Sequence, residues 1–225
     1  MKKLFSFILV LIAAFTAAAE TYYKPHIYVG GRAGISMAQM SFSPSVRQGM
    51  TSGTTGAVSI RYTEEKLFAL VAEFGWTTRG WKEDFEESPL SYSRSLTYIN
   101  LPVLTQIRFG SSRFKTFINL GPQFAYMIGS SISSNFDYRD VASVPDFPAN
   151  RQTAQLDMEI KNKFDYGICG AVGFEFFVKP RHSVQLEGRY YFGLGNIFPS
   201  RKADHFSASR NMSIEISLGY NFRLR

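Results

Sequence analysis

The strongest constraint on this chain is a two-residue alternation that outlasts what a soluble strand needs. From Phe164 the even positions read Phe164, Tyr166, Ile168, Gly170, Val172, Phe174, Phe176 and Val178. The odd positions between them are small or polar: Asp165, Gly167, Cys169, Ala171, Gly173 and Glu175. Successive strand residues point to opposite faces, so the segment carries one apolar face and one small or polar face. It is far longer than the strand of about 5–6 residues typical of globular proteins. The pattern returns twice. Val184, Leu186, Tyr190 and Phe192 alternate with Gln185, Glu187, Arg189 and Gly193, and Ile214, Ile216, Leu218, Tyr220, Phe222 and Leu224 alternate with Glu215, Ser217, Gly219, Asn221 and Arg223.

Weaker alternation places five earlier strands near Ile27–Met37, Thr54–Tyr62, Leu67–Thr77, Leu96–Phe109 and Phe114–Ile128. With Lys163–Val178, Ser183–Leu194 and Ser209–Leu224 the expectation is eight strands. Connection lengths alternate. Thr63–Lys66, Gly110–Ser112 and Lys179–His182 are tight, whereas Ala38–Gly53, Thr78–Ser95, Gly129–Asn162 and Gly195–Ala208 are long. An even strand count with short turns on one side and long loops on the other is the pattern of outer-membrane barrels. A soluble barrel also alternates, but with its apolar face inward. Side-chain size separates the two. An eight-stranded lumen is only just wide enough for side chains to fill it, and it has no room for Phe164, Tyr166, Phe174, Phe176, Tyr190, Phe192, Tyr220 and Phe222 together. The bulky face therefore belongs in lipid. A water-filled porin channel takes about 16 strands, twice what this chain provides.

The N-terminus agrees with export. Lys2 and Lys3 precede an apolar run from Leu4 to Phe15, and Ala17-Ala18-Ala19 reads as a cleavage site. The expected division is a cleaved signal peptide over 1–19 and one barrel domain over 20–225, both termini periplasmic. Polar residues interrupt every later apolar stretch, so no other transmembrane helix is readable. Cys169 is the only cysteine, which excludes an intrachain disulfide. The formal net charge is +7, but acids and bases intermix along the chain and no basic block of the kind that binds nucleic acid stands out.

Strand parity turns Arg32, Arg61, Glu73, Arg108, Lys115, Glu175, Glu187, Arg189 and Glu215 inward. Buried charges of near-balanced sign are expected to pair, because an unpaired ion in low dielectric costs several kcal/mol. The set reads as a structural charge network filling the lumen, with an ion or proton path as the weaker alternative. No catalytic, cofactor or metal site is read. His26, His182 and His205 lie on separate connections, and the glycines near Gly170 and Gly193 precede no helix that would hold a phosphate. His205-Phe206-Ser207 with Glu215 has the composition of a lipid-deacylating triad. Against it, the eight residues from Ser207 to Glu215 would span over ~20 Å if extended. Trp76, Trp81, Tyr126 and Tyr138 are expected in an outer aromatic girdle, and Tyr22, Tyr28 and Phe222 in a periplasmic one. Pro102 and Pro122 should interrupt the ladder, since proline donates no N–H and a closed barrel has no edge. Alternation continues through Leu156, Met158 and Ile160 and through Tyr126, Ile128, Ile132, Phe136 and Tyr138. That predicts a β-hairpin standing above the membrane over 129–162, as a contact surface for an extracellular or envelope protein.

Four segments resemble one family. Tyr98-Ile99-Asn100-Leu101-Pro102-Val103-Leu104 resembles the tyrosine-to-proline strand of the small Bacteroidota outer-membrane barrels, the PorT-like or outer membrane protein β-barrel domain family. Phe164-Asp165-Tyr166-Gly167 with Gly170 and Gly173 resembles that family's sixth strand. Leu186-Glu187-Gly188-Arg189-Tyr190-Tyr191-Phe192-Gly193-Leu194 is similar to its seventh, and Gly219-Tyr220-Asn221-Phe222-Arg223-Leu224 to its last. The resemblance implies an all-β, closed, eight-stranded antiparallel transmembrane barrel in the cell outer membrane, with outer-membrane lipid as its surroundings. It implies no shared catalytic residues and no cofactor. The function read for the chain is a non-enzymatic surface barrel acting through its loops. The alternatives are an accessory subunit of a type IX-like secretion machinery and a lipid A-modifying enzyme.

Overall fold

The computed structural model describes residues 24–86, 88–148, 151–202 and 204–224. The segment 1–19 expected as a signal peptide and Tyr22 lie outside these residues. Eight long strands form the wall: β1 (His26–Ser43), β2 (Thr51–Thr63), β3 (Phe68–Glu83), β4 (Tyr92–Gly110), β5 (Phe114–Ser134), β6 (Phe164–Lys179), β7 (His182–Gly193) and β8 (Ala208–Arg223). Each pairs antiparallel with the next, and β1 closes on β8 from Tyr28↔Arg223 to Ser43↔Ala208. Every long strand thus has two partners, and the ring has no free edge. A two-residue strand, Gln48–Gly49, adds to the far end of β3.

The period of two sets the faces. Phe164, Tyr166, Phe174, Phe176, Tyr190, Leu218 and Tyr220 stay exposed on the outer wall, while Asp165, Cys169, Glu175, Glu187, Arg189 and Glu215 are buried inside. No helix among the described residues is long and apolar enough to cross a membrane; the crossing is made by strands.

Both prolines interrupt the ladder as their chemistry requires. Pairing of β3 with β4 skips from Ala72↔Val103 to Gly75↔Asn100, and pairing of β4 with β5 skips from Pro102↔Gln123 to Thr105↔Leu120. The register is unchanged across each gap, so these are missing rungs. The register shifts lie elsewhere, at Thr97/Tyr98 and at Phe177/Lys179.

The extracellular rim is uneven, and here the predicted hairpin over 129–162 is overturned. β5 does overshoot, to Ser134, but its extension pairs with β4, at Tyr92↔Ser134. β6 begins only at Phe164, opposite Tyr126. Between them lie a 3-10 turn, Val141–Ser143, and a single α turn, α1 (Ala154–Asp157). Leu156 and Ile160 are buried. Leu156 lies in α1 and Ile160 in the extended stretch after it, and burial inside the barrel mouth removes their apolar surface from water where a free hairpin would leave it exposed.

Candidate functional site

The lumen is filled by layers of side chains that the alternation of the strands turns inward. Nearest the tight turns, the Glu175 carboxylate accepts from Arg61 at 2.7 Å, Arg108 at 2.6 Å and the Ser183 hydroxyl at 2.6 Å. The Arg61 guanidinium lies 4.3 Å from the Tyr28 ring centroid. One layer up, Glu73 accepts two bonds from Arg189, both 2.8 Å, and one from Arg32 at 3.1 Å. Arg189 also donates to Glu187 at 2.8 Å, and Arg32 reaches Glu215 at 3.3 Å. Thr55 and Asn119 supply further donors to Glu215 and Glu187. Bidentate Arg–carboxylate pairing of this kind is strong and fixes the side chains in place.

A third charged layer lies above. Arg79 sits 3.4 Å from Asp165 and 3.8 Å over the Tyr191 ring, and Asn211 donates to the same carboxylate oxygen at 2.9 Å. Arg79 falls in the stretch read from sequence as loop 78–95, so parity was never applied to it; Asp165 was visible by parity. Several buried polar atoms of this layer have no protein partner, among them Arg79 Nε, Asn211 Oδ1 and Ser213 Oγ. Atoms of this kind ordinarily bond to internal water.

The extracellular mouth is closed by apolar side chains. Trp81 is completely buried. Phe42 and Phe198 pack on it at 5.4 and 6.2 Å, and Phe206 stacks on Phe198 at 5.9 Å. Loop 129–162 folds inward to join them. Leu156 and Ile160 belong to this core, the Tyr92 hydroxyl donates to the Leu156 carbonyl at 2.7 Å, and Arg94 donates to the Met158 carbonyl at 2.7 Å. Glu83 accepts from Trp81 and Gln155, each at 3.1 Å.

Of the inward residues named from sequence, Arg32, Arg61, Glu73, Arg108, Glu175, Glu187, Arg189 and Glu215 are all buried and hydrogen-bonded. Lys115 is only half-buried and forms no ion pair among the described residues. His205, Ser207 and Glu215 do not form a triad: His205 is exposed, the Ser207 hydroxyl bonds to the Ser43 carbonyl, and Glu215 is committed to Arg32, Thr55 and Thr77. Cys169 is buried against Val71, Leu104 and Tyr191. The girdle assignments need correcting. Trp76 and Tyr126 are exposed on the outer wall, but Trp81 is inside the cap, Tyr138 packs on Tyr92 at 5.7 Å, and Tyr28 lies inward under Arg61. Trp81 sits on the inward parity of a strand longer than the sequence suggested, and Tyr28 shares the inward parity of Arg32 and Ser36 in β1.

A family model, the outer membrane protein beta-barrel domain, matches residues 21–199. This chain belongs to that family. Its barrel is accordingly an outer-membrane protein, placed with the bulky face in lipid. No curated protein matches the chain. Among solved structures, Neisserial surface protein A shows 15% identity and a TM-score of 0.47, covering 89% of this chain and 99% of its own. OprG from Pseudomonas aeruginosa shows 15% identity and 0.45, covering 88% and 95%. Ail of Yersinia pestis, solved with the heparin analogue sucrose octasulfate, shows 11% identity and 0.41, covering 87% and 99%. These similarities are to the general form of small barrels.

Proposed function

We propose that this family member is a non-enzymatic surface barrel in which the lumen is a structural plug and the folded extracellular cap is the binding face. The observation that carries the reading is the way the loops are held. The tip of loop 129–162 is anchored by Phe147, whose ring lies 5.9 Å from both Phe85 and Phe136. That presents exposed Asp137, Arg139, Asp140 and Asp146 on a preorganised platform. A surface already ordered loses little entropy when a partner binds. The lumen's carboxylates are occupied by arginines, which leaves no free base beside a nucleophile of the kind acyl transfer needs.

The test has two parts. Purified barrel in nanodiscs is used to capture proteins from intact cells and from detergent-solubilised envelopes, with a variant carrying Phe147→Ala as control. A partner retained by the native cap and lost by that variant supports the reading. Stoichiometric recovery of envelope proteins, insensitive to Phe147→Ala, would assign the chain to a secretion assembly of the PorT-like kind instead. Mass spectrometry of lipid A from cells with and without the gene should show identical species; an acyl-chain difference would assign it to lipid modification.

A further inference from the structure

The periplasmic end of the barrel carries a chemistry the surface role does not use. A cavity of about 680 Å³ opens there, lined by His26 and Tyr28 of β1, Arg113, Lys115 of β5, Lys179 and the Phe176–Val178 stretch of β6, and Arg223 of β8. No carboxylate lines it. Arg113, Lys115, Lys179 and Arg223 form no ion pair among the described residues, in contrast to the arginines of the lumen layers.

The wall behind the cavity adds to the imbalance. Arg61 and Arg108 lie 4.3 and 5.8 Å from the Tyr28 ring centroid and share the one carboxylate of Glu175. Both are buried, and the Nε–H of each has no hydrogen-bond partner. This second observation is independent of the lining and points the same way: the end of the lumen holds more donors and more positive charge than the protein itself satisfies. A concave site with low-dielectric walls and one sign of charge focuses its field on an ion of the opposite sign. The acids of the tight β2–β3 turn, Glu64 and Glu65, are exposed and do not line the cavity.

We propose that this vestibule is a binding site for a small organic phosphate from the periplasm. Four unpaired cations around one cavity call for a ligand with more than one negative charge, and arginine's planar fork matches phosphate oxygens two at a time. The half-buried Phe177 ring gives the organic part an apolar surface. The volume is that of an ordinary small-ligand pocket, which runs from about 300 to 1,000 Å³. Tyr28, Lys115, Phe177 and Arg223 are inward positions of their strands, whereas Phe176 and Val178, which also line the site, are exposed on the outer wall, so the site lies at the periplasmic rim where lumen and wall meet. The proposed occupant is a soluble phosphate, and the nanodisc comparison below separates it from a lipid headgroup.

Calorimetric titration of the refolded barrel with phenyl phosphate at low salt tests this. Saturable binding is expected, weakening as added salt shortens the screening length to about 10 Å at 0.1 M. Lys115→Gln and Arg223→Gln should each weaken it by about tenfold, the order expected for one charge-assisted hydrogen bond. Lys82→Gln, at the exposed extracellular end of β3, should change nothing. On the unsubstituted protein, phenyl phosphate should protect Lys115 from an amine-acylating reagent, a readout that needs no variant to fold. The proposal is overturned by absence of saturation at millimolar ligand, by equal affinity in the Lys115 and Arg223 variants, or by unprotected Lys115. It is also overturned if binding seen in phosphatidylcholine nanodiscs disappears in phosphatidylglycerol nanodiscs, because lipid headgroups would then be the occupants.

Discussion

Single buried charges decide how this lumen holds together, and they are not equivalent. Among the described residues Glu175 is the only carboxylate bonded to Arg61 and Arg108, so Glu175→Ala leaves two buried guanidiniums without a carboxylate partner. Removing one side of a buried pair costs on the order of 3–5 kcal/mol. Glu187→Ala should cost less, because Arg189 keeps both of its bonds to Glu73. Asp146→Asn, at an exposed loop position whose φ of 55° asparagine tolerates, should cost nearly nothing. Urea midpoints of the three variants, refolded into the same lipid, should fall in that order; a Glu175→Ala midpoint equal to that of Asp146→Asn would contradict the pairing. Gly56 makes a similar single-residue demand on the outer wall. It sits opposite Trp76, and an added Cβ would come within 2.5 Å of the indole ring. Gly56→Val should therefore turn Trp76 out of its place over the glycine, read as a shift in tryptophan emission.

At the scale of elements, the cap is the segment whose conformation contradicts its pattern. Leu156, Met158 and Ile160 alternate as a strand would, yet they form α1 and a short extended stretch packed around Trp81, Phe42 and Phe198. Amides of Leu156 and Met158 bond to the Thr153 and Ala154 carbonyls beneath the buried Leu156 side chain, and should exchange more slowly than those of Ser143 and Val144, which bond within the exposed 3-10 turn. Trp81→Ala removes the ring the cap packs against, and aromatic-to-alanine changes in cores cost about 3–5 kcal/mol. Exchange at Leu156 and Met158 should then accelerate at least tenfold while β6 and β8 amides stay protected. Unchanged exchange at those two positions would mean that the cap does not depend on Trp81. Gly80 marks where β3 enters this region. Its φ is 134°, and a Cβ there would lie 1.9 Å from the Arg94 carbonyl oxygen. A glycine is needed for β3 and β4 to approach so closely above the membrane.

For the whole molecule, the proposed plug makes a prediction about transport. The barrel in planar bilayers should show no large, stable conductance, because three charged layers and an apolar cap fill the lumen in series. Deleting 137–148 should leave it closed, since the charged layers lie below the cap. A steady water-filled conductance in the native barrel would refute the plug, and one appearing only after the deletion would place the seal in the cap alone.

Strand number, wall faces, turn asymmetry and the ladder gaps at Pro102 and Pro122 were all readable in the sequence. Each follows from a local rule: a period of exactly two residues, a missing N–H, or a tight turn that joins only antiparallel neighbours. Inward parity also placed Arg32, Glu73, Glu175 and Arg189 in the lumen without reference to their partners. Partner choice was not readable, because Arg189 and Glu73 are 116 residues apart and meet only when the ring closes. The fate of loop 129–162 was hidden for a related reason. Alternating apolar residues suit a standing hairpin or an inward-folded segment alike, and what selects between them is the apolar mouth formed by β1, β3, β4, β5 and the β7–β8 loop, which exists only in the folded barrel. The cationic vestibule likewise draws its side chains from β1, β5, β6, β8 and two turns, and tertiary structure alone brings them to one cavity.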